Sequence, residues 1–239
     1  MKRRFAVFAL WTAAVAPAYS ADIDSIQLLS QNEFRLLSED LGAALSFKPL
    51  IPSEALGITG FDLGAAVTGT KLKNAAIFDK ASSGGDVPSV LPVPTLRLHK
   101  GLPLNLDVGV ALSQVPGTNI RYTGGELRWA ILPGGTLAPA VAIRGTLTRL
   151  TGVDQLDFET KSLDISISKG FANVTPYGGI GQVWVKSTPR GVPGLRGEDF
   201  TQTKVFGGVN VNFGLANLAF EADSTGGVAT FGVKLGFRF

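Results

Sequence analysis

The sequence predicts an all-β fold, a transmembrane antiparallel up-and-down β-barrel of about ten strands with an N-terminal helical segment. Three observations predict it. First, the last eleven residues alternate without a miss. Ala229, Phe231, Val233, Leu235, Phe237 and Phe239 share one face; Thr230, Gly232, Lys234, Gly236 and Arg238 share the other. A period of two is a strand with one apolar and one polar face, as required between lipid and a polar lumen. Second, the N-terminus reads as an export signal. Third, the chain is apolar overall, yet after that signal it has no run of about 18 apolar residues, so the apolar residues are dispersed by alternation.

Lys2, Arg3 and Arg4 form a positive stretch, Phe5 to Val15 an apolar one, and Ala16 to Ala21 supply small residues for cleavage. Residues 1–20 are therefore expected to be a cleaved signal peptide, cut after Ser20, or alternatively after Ala18. The formal charge of +3 resides in that segment, since its removal leaves 19 basic against 19 acidic residues. The balanced remainder gives no reason to expect nucleic acid as a partner. The absence of cysteine excludes disulfides, thiol chemistry and a lipidated cysteine anchor.

Residues 21–57 differ from the rest. Ser30 and Glu33 have capping-box spacing. Phe34, Leu37, Leu41 and Ala44 share a helical face, and Pro49 stops the run, which predicts an amphipathic helix at about 31–45. It could plug the lumen, cap the periplasmic mouth or lie on the membrane. Alternatively, residues 41–48 add a strand, and an added pair would make twelve.

The barrel is expected over 58–239. Phe61, Leu63, Ala65 and Val67 begin it. Leu96 and Leu98 then oppose Arg97 and His99, and Leu104 to Leu112 oppose Asn105, Asp107 and Ser113. Leu127, Trp129 and Ile131 oppose Glu126 and Arg128; Val141, Ile143 and Leu147 oppose Arg144, Thr146 and Thr148; Leu163, Ile165 and Ile167 oppose Asp164. Tyr177, Val183 and Val185 are set against Gln182 and Lys186, Val205 to Phe213 against Lys204 and Asn210, and Leu218 and Phe220 against Glu221 and Asp223. Tight turns at Lys100-Gly101, Pro133-Gly134-Gly135, Gly170 and Gly214 fall on one side, and longer links at 73–92, 114–117, 150–154 and 187–198 on the other. Short turns are periplasmic in such barrels, which puts the C-terminus in the periplasm. Trp129, Phe171, Phe213, Phe237 and Phe239 lie near the tight-turn ends and form an expected interface girdle.

The signal peptide, the alternating strands and the terminal Gly236-Phe237-Arg238-Phe239 resemble a Gram-negative outer-membrane β-barrel protein. The resemblance covers almost the whole mature chain and matches no named subfamily. It implies the outer membrane as location, with its lipid and lipopolysaccharide and the barrel-assembly machinery as partners. It also implies that Leu235, Phe237 and Phe239 form the assembly signal; Leu235 replaces the usual aromatic, and Gly232 and Gly236 are offset from the usual glycine.

Within that family, enzymes need a histidine base or acidic pairs with a histidine. His99 is the sole histidine and falls at the tight-turn end of its strand, away from external substrates. No catalytic residue is therefore assigned. No acidic spacing fits a metal loop, so no metal or cofactor is expected. The expected lumen lining is Asp62, Arg97, Asp107, Glu126, Arg128, Arg144, Asp164, Lys204, Glu221, Lys234 and Arg238, near charge balance. Unpaired charges are costly in a narrow barrel, so these should pair across strands. The expected function is non-enzymatic: a narrow small-solute channel or a structural envelope protein. The alternative is a surface adhesin or receptor using loops 73–92 and 187–198, whose Arg190 and Arg196 could grip lipopolysaccharide phosphates. A lipid-modifying enzyme ranks behind both.

Overall fold

A computed structural model describes residues 22–82 and 87–239. The expected signal peptide, at 1–20, lies outside the described residues. Among the described residues ten strands form, and residues 41–48 add none. They are β1 (Phe61–Lys71), β2 (Val90–Leu102), β3 (Leu106–Gln114), β4 (Arg121–Pro133), β5 (Ala140–Thr151), β6 (Leu156–Ser168), β7 (Val174–Pro189), β8 (Glu198–Phe213), β9 (Ala216–Thr225) and β10 (Val228–Arg238). Every neighbour in sequence is an antiparallel neighbour in the sheet, and β1 pairs with β10 from Asp62↔Arg238 to Thr70↔Thr230, which closes the barrel.

Alternation decides which side chains face out. In β10, Phe231, Val233, Leu235 and Phe237 are exposed, while Thr230, Gly232 and Lys234 are buried. The same rhythm in the other strands gives an exposed apolar exterior, including Leu63, Leu96, Val110, Leu127, Ile165 and Phe220. An aqueous surface would not tolerate so continuous an apolar belt; lipid requires it. Trp129, Phe171, Phe213, Phe237 and Phe239 are all exposed at the tight-turn end.

One strand reverses its expected faces. In β7, Val183 and Val185 point inward and are fully buried, Tyr177 is also inward, and Gln182, Trp184 and Lys186 face outward. The cause is what fills the barrel behind them.

That filling is the N-terminal segment. Helix α1 (Gln31–Leu45) begins at a complete capping box: the Ser30 hydroxyl accepts from the Glu33 N–H at 3.3 Å, and the Glu33 carboxylate accepts from the Ser30 N–H at 2.7 Å. Ser30→Ala is expected to weaken docking of the segment by about 1 kcal/mol; amide exchange of α1 in the intact protein measures it, and an unchanged rate would refute the capping role. Phe34, Leu37, Leu41 and Ala44 are buried on one face, as their spacing predicts. They join Ile23, Ile26, Phe78, Ile120, Leu150, Phe158, Val183 and Val185 in an apolar cluster inside the long-loop end. Gly42 approaches β7 and β8 so closely that a Cβ there would meet Val185 and Gln202 within 3 Å.

A second helix, α2 (Ala75–Ala81), arises inside the 73–92 link, where none was expected. Lys80 on α2 donates to both oxygens of Glu33, at 2.8 and 2.9 Å. This bond, with the Ser30 N–H and hydroxyl bonds, holds the Glu33 carboxyl down at about 2. A depressed carboxyl contributes stability that is complete above its ordinary value of 4.5 and is lost as pH falls through about 2. An NMR titration of the Glu33 carboxyl should therefore show a midpoint near 2, and Lys80→Met should move it up toward 4.5. A midpoint unmoved by that substitution would refute the Lys80 contribution.

Candidate functional site

The candidate site is the lumen. Residues 46–57 leave α1 at the long-loop end and descend to the tight-turn end, where β1 starts. They join no ladder. Pro49 and Pro52 lack the N–H that helix or central strand would need, so this stretch has no secondary structure of its own to adopt. Its backbone polar groups must find partners elsewhere, because Ser46 to Ser53 are buried throughout.

The barrel wall supplies them. The Lys204 ammonium donates to the Phe47 carbonyl at 2.6 Å, and the Arg97 guanidinium to the Pro49 carbonyl at 3.0 Å. Arg128 donates to the carbonyls of Pro52 and Glu54 at 2.6 and 3.3 Å. In the other direction, the Leu50 N–H donates to Glu221 at 2.7 Å, the Ser53 N–H to the Ser168 hydroxyl at 3.0 Å, and the Leu56 N–H to Asp107 at 3.0 Å. Leu50 has a left-handed φ of 50°, rare for a side-chain-bearing residue. The kink falls where its N–H meets Glu221. Cations therefore sit at carbonyls and carboxylates at amides.

The thread's side chains have seats as well. The Arg97 guanidinium lies 4.6 Å from the centre of the Phe47 ring, and a Cβ on Gly124 would come within 3.0 Å of that ring. Gly232 leaves similar room for Leu50. Lys48 is almost fully buried and pairs with Asp223 at 3.0 Å.

The rest of the polar interior pairs across strands. Asp62 meets Lys234 at 2.7 Å and Arg238 at 2.9 Å, with Lys234 fully buried. Arg128 also meets Asp107 at 2.8 Å. Arg144 lies 3.4 Å from Glu126 and 3.6 Å from Asp164. His99 is fully buried, 3.8 Å from Glu126. Asp62, Arg97, Asp107, Glu126, Arg128, Arg144, Asp164, Lys204, Glu221 and Lys234 are buried in the interior, and Arg238 stands at its rim with its side chain 21% exposed. Sequence reasoning missed their shared use: Lys204, Arg97, Arg128, Glu221 and Asp107 hold the threaded backbone. The paired prolines inside a buried apolar stretch were the available signal. Lys186, expected to point inward with Gln182, faces outward instead. Among the described residues no group of histidine and carboxylates is placed to hold a metal ion.

Links at the long-loop end hold the segment from above. Gln31 accepts from the Arg196 N–H at 2.8 Å and donates to Glu198, and Arg35 pairs with Glu198 at 3.2 Å. Arg190 pairs with Asp157 at 3.1 Å. The Ile23 N–H donates to Asn119 at 3.1 Å, and the Ile26 N–H to Gln155 at 3.2 Å.

No family model matches the chain, and no curated protein matches it. Among solved structures it is similar to the N-terminal β-barrel domain of OprF from Pseudomonas aeruginosa, at 13% identity over 77% of this chain and 99% of that one, with a TM-score of 0.40. It is similar to the translocator domain of the autotransporter NalP from Neisseria meningitidis, at 10% identity over 86% and 93%, with a TM-score of 0.39. The attachment invasion locus protein Ail of Yersinia pestis matches at 13% identity over 79% and 100%, with a TM-score of 0.33. The fold is a closed ten-stranded antiparallel barrel with an apolar exterior and a largely polar, charged lower interior.

Proposed function

We propose that this is a non-enzymatic barrel of the Gram-negative outer membrane, exported by a cleaved signal peptide and kept closed by its own N-terminal segment. At rest it is a structural envelope protein; a path for small solutes exists only when residues 22–57 leave the lumen. One observation carries this reading: below α1, residues 46–57 thread the charged part of the interior with their backbone hydrogen-bonded to the wall. Burial of His99 in the packed interior supports a non-enzymatic role. Both long loops are engaged on the N-terminal segment, which supports a latch over an external receptor. Lipid and lipopolysaccharide contact the exterior in this reading, and the assembly machinery reads Leu235, Phe237 and Phe239.

Single-channel recording in planar bilayers tests it, with the full mature chain beside a variant lacking residues 22–57. The full chain is expected to be silent and the truncated one to conduct. Steady conductance by the full chain would overturn the closed reading. Silence of a verified, folded truncated barrel would leave the structural role and remove the channel.

A further inference from the structure

The lumen's charges recognise a peptide backbone more than a peptide sequence. A wall built for ions would place its charges toward an aqueous path, and a wall built only for rigidity would spend them on each other alone. Here Arg128 and Asp107 pair, but Lys204, Arg97 and Arg128 also reach carbonyls, and Glu221 and Asp107 amides, of the same non-helical stretch. Arg97 forms no ion pair among the described residues, and its charge is directed at the Pro49 carbonyl and the Phe47 ring. Bonds to main-chain groups are available from any extended polypeptide. We infer that the barrel interior is a binding site for a non-helical, proline-containing polypeptide, occupied in this structure by residues 47–56, which kink at Leu50.

The ligand class follows from the wall. An occupant must be non-helical, because a helix would have consumed internally the donors and acceptors that meet the wall. It can carry a bulky side chain where Gly124 and Gly232 make room, as Phe47 and Leu50 do, and a cation opposite Asp223, as Lys48 does. Proline suits it by removing amides that the wall does not satisfy and by keeping the free segment from folding on itself. The inference rests on the plugged reading of the lumen and adds that the plug is a ligand, exchangeable with another polypeptide of the same form.

The experiment uses the full chain, with a protease site inserted between Ile58 and Thr59, which are both exposed. After folding, the chain is nicked there, and release of a fluorophore-labelled 22–58 fragment is followed by size exclusion. Arg97→Met and Lys204→Met are each expected to speed release about tenfold, the worth of one charge-assisted hydrogen bond, with the barrel verified by its resistance to unfolding. A synthetic peptide of residues 46–57 should then refill emptied barrels. The same peptide N-methylated at the Leu50 and Leu56 amides keeps every side chain and should bind at least tenfold more weakly. Release indifferent to both wall substitutions, or equal binding of the methylated peptide, would overturn the inference. Recording from the unnicked chain separates the two readings: conductance there sinks the plug itself, whereas silence combined with backbone-blind binding sinks only the inference. If the wild-type fragment never leaves, the ratio between wall variants alone decides.

Discussion

Asp62→Ala should destabilise the folded barrel by about 3–5 kcal/mol, because it leaves a fully buried ammonium without its counter-charge. Asp62 lies on β1, and its partners Lys234 and Arg238 lie on β10, across the pairing that closes the ring. Lys234 has no exposure with which to recover hydration, whereas Arg238 at the rim can turn to solvent. The loss is therefore dominated by one stranded lysine. Asp62→Ala combined with Lys234→Met should recover most of the stability, since replacing both members of a buried pair by apolar atoms is close to neutral. Denaturant unfolding of the refolded protein in detergent reads both variants. A single-variant loss below about 1 kcal/mol would show that water reaches the seam, contrary to its packing.

Arg128→Met should have an effect of similar size for a different reason. Arg128 is fully buried, pairs with Asp107 and holds the carbonyls of Pro52 and Glu54. The substitution strands one carboxylate and two carbonyls, again about 3–5 kcal/mol. Its particular signature is in conductance. The wall keeps its ten-strand pairing, but the lower thread loses its chief anchor, so the variant should show openings that the parent lacks. Adding Asp107→Asn should restore stability in part without restoring closure, because the thread's carbonyls remain without their donor. Stability loss with no change in current would place Arg128 in the wall alone.

The barrel was legible in the sequence because its outer face obeys one rule over most of its height. Lipid demands apolar side chains at every second residue, so strands such as β6 and β10 read directly from Leu163, Ile165 and Ile167 or from Phe231 to Phe237. The inner face obeys two rules, and there the reading failed in places. Near the tight turns the interior is charged, which made Asp107 and Arg128 easy to place. Near the long loops it is apolar, because α1 fills it. Val183 and Val185 therefore look like lipid-facing residues, although they pack toward that helix, while Gln182 and Lys186 look like lumen residues and face outward. Alternation reports the period of a strand and not which side is greasy. Residues 46–57 were illegible for another reason: a non-helical stretch held mainly by side chains distant in sequence has no period at all. Helix α2 was missed because seven residues are too few for a helical face to declare itself.

The threaded segment also constrains the order of assembly. A stretch surrounded by a closed ring of strands can arrive only endwise or before the ring closes. Endwise entry would drag α1 and its apolar face through a passage lined with charges. The hairpins from β1 to β10 are local in sequence, but Asp62 and Lys234 are 172 residues apart. Loop closure over such a distance is slow, so the β1–β10 ladder zips last. Until then the strands form an open, curved sheet on which residues 46–57 can lie down, already tethered to β1. The final zipping step shuts the sheet over its contents, and Asp62 fastens the edge.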